Sequence, residues 1–390
     1  MNNYKIVIIC VFASFVIAGL LNPIGLISGP VAEAFNISIT DAVARFGYFT
    51  FGVFGGYILS FYIFDFIKLR SVVFIGYGLL AGAVTALHYS TDATVMVASL
   101  FLIGLLASIQ VCAASTLASW TWSGNPRQTV LIAQDAMFNG GGIVFTLLTT
   151  WLLAENYRWS TVYMVVAGVA LLVAVIALSS KVPEAQVDNE TASKTDWNFG
   201  ILAVGGSVLF FMMAKISIFI WAPQYAAQAF GANVAQSGQL LTNIFIGAFI
   251  GSLAGTFIVS KTRIEYFLLA MLSIGACGLW LMTSASDLDS MLLIAYMVGA
   301  SVGATFNGYM AFGLSFVKTP THKNVAYILL AGGIGSAIAP IFSSEIVEQS
   351  GSIQTALVAC MSIQIAVLVS VLLLTVLGQK RLREAELASN

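Results

Sequence analysis

Three ionisable residues lie within the long apolar stretches of this sequence: Asp135, Lys215 and, at the external start of its stretch, Arg45. A charge at such a position is costly in a membrane and usually faces a cavity or a partner. Asp135 is the only carboxylate among them, and a desolvated carboxylate can bind and release a proton near neutral pH. We interpret Asp135 as a candidate for proton coupling; the alternative is a structural acid bonded to a neighbouring helix or to Arg127.

The two cations also have two interpretations each. Lys215 could bind an anionic group or act as a charge switch, or its ammonium could reach the external interface along its aliphatic stem. Arg45 follows Asp41 by four residues, the spacing that brings opposite charges together on one helix face. A local ion pair is the favoured interpretation of Arg45, and the alternative is a cationic vestibule with Lys215 that attracts an acidic solute.

Amide side chains in the apolar stretches could bind a polar solute, because an amide both donates and accepts hydrogen bonds. Each amide could instead join two helices. No catalytic set of Ser, His and Asp stands out, and His88 and His322 are interpreted as loop-end residues, so the sequence predicts no enzyme, metal site or cofactor. The candidate solute-binding residues are Asn22, Gln110, Asn139, Lys215, Asn243 and Asn307.

The composition indicates what kind of elements must position these residues. Hydrophobic residues make up 59% of the chain and charged residues 8%, whereas soluble domains contain about 25% charged residues. A soluble fold is therefore excluded. The formal net charge of −1 argues against a nucleic-acid partner, which is usually recognised through a basic patch.

Twelve apolar stretches are long enough to cross a bilayer core of about 30 Å, which needs roughly 20 residues per helix. The sequence thus predicts an all-α membrane protein with six spans in residues 1–180, a cytoplasmic linker in 181–198 and six spans in 199–390, which include a short cytoplasmic tail. The predicted spans are 6–28, 42–64, 71–89, 95–118, 129–153, 159–180, 199–222, 237–259, 266–284, 290–315, 325–345 and 353–377.

The two halves are related in sequence. A shift of 195 residues brings their glycines and loop charges into register without a gap, as expected for two repeats that build a cavity between them. Thirteen of the 16 Lys and Arg residues lie in segments that are cytoplasmic if both termini are inside, which predicts that orientation in a bacterial-type inner membrane. The aligned pairs include Gly52–Gly247, Gly56–Gly251, Lys68–Arg263, Gly104–Gly299 and Arg127–His322.

This arrangement, with basic turns between spans two and three and between spans eight and nine, resembles the major facilitator superfamily. The first such turn carries a glycine, aspartate and basic-residue signature in that family; here Asp65, Lys68 and Arg70 are present, while Phe61 and Leu69 stand where glycines are expected. The resemblance implies a gating role for these three charged residues, to which we add Arg45 as a candidate.

Three segments are similar to the TsgA-type branch of the fucose-permease-like transporters: residues 29–36, Asp135 with the following glycines 140–142, and residues 346–351. Fucose permeases are sugar and proton symporters that use acidic residues in the first and fourth spans. This chain has Asn22 and Gln110 in those spans instead, so the resemblance supports transport more strongly than it supports sugar.

The sequence therefore predicts a monomeric secondary active transporter for a small polar solute, with a sugar-like compound preferred. Its expected partners are that solute, the lipid bilayer and protons, the last through Asp135. The alternatives are a transporter that exports organic anions or drugs, and a transporter-like receptor that binds its ligand without moving it.

Overall fold

The computed structural model describes residues 3–37, 39–180 and 195–389, and these residues form helices joined by short turns. They contain no β-strand. The helices are α1 (Asn3–Leu21), α2 (Ile24–Phe35), α3 (Ile39–Leu59), α4 (Ile63–Phe66), α5 (Leu69–Tyr89), α6 (Ala93–Thr121), α7 (Gly124–Ala154), α8 (Thr161–Leu178), α9 (Phe199–Phe230), α10 (Val234–Val259), α11 (Ile264–Thr283), α12 (Leu288–Gly303), α13 (Thr305–Ser315), α14 (His322–Ser350) and α15 (Ile353–Ser389).

These helices confirm the predicted all-α membrane fold. Eleven helical stretches in the described residues are long and apolar enough to cross a membrane, and α3, with 21 residues, occupies the position of the remaining predicted span. The predicted boundaries are less accurate than the number of spans: α7 begins five residues before the predicted start at 129, and α15 continues past 377.

Two of the predicted spans are each built from two helices. The first span breaks at Asn22 and Pro23, between α1 and α2, because proline has no N–H to continue the hydrogen-bond ladder of α1. The tenth span changes from α12 to α13 at Ala304. A break inside a span frees backbone groups next to the polar side chains of Asn22 and Asn307.

The chain divides into two compact units. Unit 1 comprises residues 1–196 together with 319–330, and unit 2 comprises residues 197–318 together with 331–390. Helix α14 therefore begins in unit 1 and continues in unit 2 after Leu330. Residues 181–194 of the predicted linker lie outside the described residues.

The repeat predicted from sequence recurs in the helix crossings of each unit. In unit 1, a Cβ atom on Gly52 of α3 would overlap the carbonyl oxygen of Phe101 on α6; in unit 2, a Cβ atom on Gly247 of α10 would overlap that of Tyr296 on α12. The two facing residues, Phe101 and Tyr296, are also 195 residues apart. Glycine at these positions lets the helix backbones touch, and each unit uses the same close contact.

The helix ends follow the same register. Asp92 caps α6 by accepting the backbone N–H of Thr94 at 2.6 Å, and Asp287, 195 residues later, caps α12 by accepting that of Ser290 at 2.8 Å. Hydrogen bonds from backbone N–H groups lower the pKa of both carboxyl groups, because they favour the charged form.

Candidate functional site

Helix α7 carries the polar residues of unit 1 that the sequence singled out. Asp135 and Asn139 are both buried and lie one turn apart, on the same face of the helix. Neither residue lacks an interaction partner. A carboxylate and an amide therefore lie buried on one face of an apolar span.

Gln134, which was not among the residues predicted from the sequence, holds this face in place. Its Nε2 donates to the carbonyl oxygen of Cys10 on α1 at 3.2 Å, and its Oε1 accepts from the hydroxyl of Ser115 on α6 at 3.1 Å. These two buried bonds tie α7 to α1 and α6, and thereby set the rotation of α7 that orients the adjacent Asp135. The available signal was a second polar residue beside Asp135 in an apolar stretch.

Asn22 reaches α7 from the break between α1 and α2. A Cβ atom on Gly142 would lie 2.8 Å from Asn22 Nδ2, so the amide occupies the space left by the missing side chain. Gly142 follows Asn139 by three residues and shares its helix face. The structure thus brings Asn22 to the polar face of α7.

Two of the predicted solute-binding amides contact neighbouring helix backbones. Gln110 on α6 donates from Nε2 to the carbonyl oxygen of Val72 on α5 at 3.1 Å, and its amide lies where a side chain on Gly76 would be. Asn243 on α10 donates from Nδ2 to the carbonyl oxygen of Leu292 on α12 at 2.9 Å. These contacts correspond to the helix-joining alternative.

In unit 2, Lys215 is half-buried on α9. Its Nζ lies 6.0 Å from the ring centroid of Phe219, one turn later, and that ring packs on Phe245 of α10 with centroids 5.3 Å apart. Asn307 is buried on α13, just after the break at Ala304. Neither Lys215 nor Asn307 lacks an interaction partner.

Arg45 is half-buried on α3. Its Nη1 atom is buried, and no group in the described part of the chain accepts a hydrogen bond from it. The side chain of Asp41, the predicted ion-pair partner, lies outside the described residues, so that pairing stays a prediction.

Asp65, in the short helix α4, contacts the start of α14. Its Oδ2 lies 2.9 Å from Lys323 Nζ and its Oδ1 lies 3.2 Å from His322 Nε2. The same imidazole nitrogen is 3.2 Å from the carbonyl oxygen of Phe61, and Phe64 packs edge-on against the imidazole ring. His322 lies at a helix end, as predicted. Its contact with Asp65 was not predicted, although its alignment with Arg127 across the repeat indicated a position suited to a positive charge.

The other two residues of the signature turn lie at the start of α5. Lys68 is the N-cap residue of α5 and has an interaction partner. Arg70 Nη2 donates to the carbonyl oxygen of Leu178 at the end of α8. The repeat counterpart of Lys68, Arg263, likewise precedes α11 and forms an ion pair of 2.8 Å with Glu265.

The chain resembles TsgA homologues along most of its length. It is 22% identical over 377 residues to the TsgA homologue of Yersinia enterocolitica, a match that covers 96% of this chain and 95% of that protein. It is 23% identical over 387 residues to the TsgA homologue of Edwardsiella ictaluri, covering 98% of each. The resemblance to TsgA-type proteins is thus confirmed.

Solved structures share the fold. A crystal structure of the transporter FucP in the outward conformation superposes with a TM-score of 0.81 and 17% identity, covering 96% of this chain and 99% of FucP. The human organic anion transporter MFSD10 gives 0.77 and 11%, covering 95% and 100%. The proton:xylose symporter XylE gives 0.77 and 11%, covering 94% of each.

The family follows from the sequence profile described as Major Facilitator Superfamily, which matches residues 7–340. That range takes in eleven of the twelve spans at least in part. The chain, a multi-pass membrane protein, belongs to the Major Facilitator Superfamily.

Proposed function

We propose that this protein is a secondary active transporter that moves a small polar solute by alternating access. The observation that carries the proposal is the buried polar face of α7, where Asp135 and Asn139 lie in an apolar span beside Gly142, on which the Asn22 amide packs. Polar groups inside a span are costly and mark solute or ion pathways. Membership of the superfamily and the duplicated helix crossings support the same function.

The preferred solute is sugar-like. Amides bind hydroxyl groups from several directions. Asn22 lies at the break between α1 and α2, Asn307 lies just after the break at Ala304, and Asn139 lies on the polar face of α7. FucP and XylE are a fucose and a xylose symporter by name; at this low identity their likeness supports the fold, and the cargo of this chain is our proposal.

Proton coupling through Asp135 is the second part of the proposal. Asp135 is buried on α7, and the hydrogen bonds of Gln134 hold the helix around it. A carboxylate that exchanges its proton as the site changes sides would couple solute movement to the proton gradient. The chain differs here from the fucose-permease pattern, because the first and fourth spans offer Asn22 and Gln110.

We further propose that the contact of Asp65 with the start of α14 breaks and reforms during the cycle, with Lys68 and Arg70 holding the turn to α5 and α8. The protein would act as a monomer in a bacterial inner membrane, with both termini cytoplasmic.

Reconstituted protein tests the transport proposal. Proteoliposomes with a pH-sensitive dye inside are given L-fucose, D-xylose or D-glucuronate, and both solute uptake and proton entry are recorded. We expect one class of solute to enter with protons, and Asp135→Asn to abolish proton entry while solute exchange continues. Glu155→Gln, at the exposed end of α7, is the matched control.

Two results would contradict this proposal. Saturable binding without any flux, in wild type and variants alike, would favour the receptor alternative. Unchanged proton entry in Asp135→Asn would remove Asp135 from the coupling mechanism.

A further inference from the structure

We propose that the solute carries a carboxylate and that Arg45 binds it. The inference rests on the proposed transport function and narrows its substrate to an organic anion, such as a sugar acid. It starts from the buried Nη1 atom of Arg45, which finds no acceptor in the described part of the chain.

A guanidinium inside a span stays positively charged. Arginine keeps its proton in proteins, whereas a buried lysine or histidine can become neutral. Its N–H groups need hydrogen-bond acceptors, and a buried N–H group without an acceptor destabilises the fold. An arginine in this state is therefore a ready site for an anion that arrives from solution.

The position of Arg45 on α3 directs it away from lipid. Ala42 and Phe49, three residues before and four residues after it, are buried, so Arg45 lies at the edge of the packed face. Phe51, on the other side of the helix, is 67% exposed. Arg45 therefore projects toward the side of α3 that packs against other helices.

The ion pairs seen elsewhere do not involve Arg45. In the described residues, Arg263 pairs with Glu265 at the start of α11, and Asp65 meets Lys323 at the start of α14. Both pairs are at helix ends. A carboxylate suits Arg45 because its two oxygens can accept two parallel N–H bonds from one guanidinium.

A sugar acid reconciles this cation with the amides of the proposed site. In this proposal its hydroxyl groups hydrogen-bond to Asn22 and Asn139, and its carboxylate binds Arg45.

The first test needs no ligand. The thermal unfolding of the purified full chain is compared for wild type, Arg45→Gln and Asp41→Asn. We expect Arg45→Gln to raise the melting temperature by about 2–4 °C, because it removes a buried N–H donor that has no acceptor in the described residues, and Asp41→Asn to leave it unchanged. A fall in both variants would show that Asp41 already pairs with Arg45, and would overturn the proposal.

The second test uses a matched pair of solutes, D-glucuronate and D-glucose, which differ in the carboxylate. We expect D-glucuronate alone to raise the melting temperature of wild type, Arg45→Gln to weaken its apparent affinity about 10- to 100-fold, and Arg45→Lys to restore part of it. Equal stabilisation by D-glucose, or stabilisation by D-glucuronate that survives Arg45→Gln, would overturn the proposal.

The two proposals fail differently. If the transport function is wrong, proteoliposomes pass no solute while the ligand-free stability shift of Arg45→Gln persists. If only the anion inference is wrong, neutral solutes cross the membrane and Arg45→Gln leaves their uptake unchanged.

Discussion

Asp65 and Lys323 are separated by more than 250 residues in the sequence, yet their carboxylate and ammonium groups lie 2.9 Å apart. The pair joins the short helix α4 to the first turn of α14. Residues of α14 up to Leu330 belong to unit 1 and the later ones to unit 2. The ion pair therefore lies at the N-terminal end of α14, in its unit 1 part.

The pair should contribute modestly to stability. Both side chains are about one-third exposed, so solvent screens their attraction, and we expect a coupling of about 0.2–1 kcal/mol. A double-mutant cycle with Asp65→Asn and Lys323→Gln, read by thermal unfolding, measures it. Lys318→Gln, an exposed lysine nearby, is the control; strictly additive effects of the two substitutions would contradict the contact.

The duplicated crossing should be equally intolerant of side chains in the two units. A Cβ atom at Gly52 or Gly247 would overlap a backbone carbonyl oxygen of the facing helix, and backbone cannot move aside cheaply. We expect Gly52→Ala and Gly247→Ala each to destabilise the protein by about 1–3 kcal/mol, as measured by thermal unfolding in detergent.

Gly78→Ala is the matched control for these glycine substitutions. Gly78 is in α5, and a Cβ atom there would meet nothing within 4 Å. Alanine should therefore be neutral or slightly stabilising, because it has the better helix propensity. A loss at Gly78 as large as that at Gly52 would show that the helix crossing is not the cause.

Gln134 should matter to both stability and coupling. Gln134→Leu leaves the Ser115 hydroxyl and the Cys10 carbonyl without their bonds, and we expect a loss of about 1–3 kcal/mol. The pH profile of uptake should shift as well, because α7 would no longer hold Asp135 in one orientation. Gln128→Leu, whose Oε1 has no donor in the described residues, is the control: it should not lower stability and should leave the pH profile unchanged.

The aspartate caps of α6 and α12 should make stability depend on pH at the acidic end. Backbone hydrogen bonds lower the pKa of Asp92 and Asp287 in the folded protein, so their stabilising effect is complete above the unfolded value of about 3.9 and is lost as pH falls through the lowered folded values. Asn also caps helices but carries no charge.

We therefore expect the double variant Asp92→Asn, Asp287→Asn to lose less melting temperature than wild type between pH 5 and pH 3. Parallel curves for the two proteins over that range would show that the caps contribute nothing to the acid sensitivity.

Much of this molecule could be predicted from its sequence. Lipid requires every spanning segment to satisfy its own backbone hydrogen bonds, so twelve apolar stretches indicate twelve helical spans. The glycine register at 195 residues predicted two related units, and the crossings at Gly52 and Gly247 show why those glycines recur. The family resemblance likewise depended on residues that are adjacent in sequence.

The contacts of individual side chains were decided by the tertiary structure. Hydropathy is nearly uniform around a spanning helix, so it carries little information on rotation, and the sequence could not show that Gln110 and Asn243 meet neighbouring backbones. Nor could it show that Gln134 ties three helices together or that Asp65 meets His322 and Lys323. Those contacts depend on how distant helices pack, and packing is a property of the folded chain.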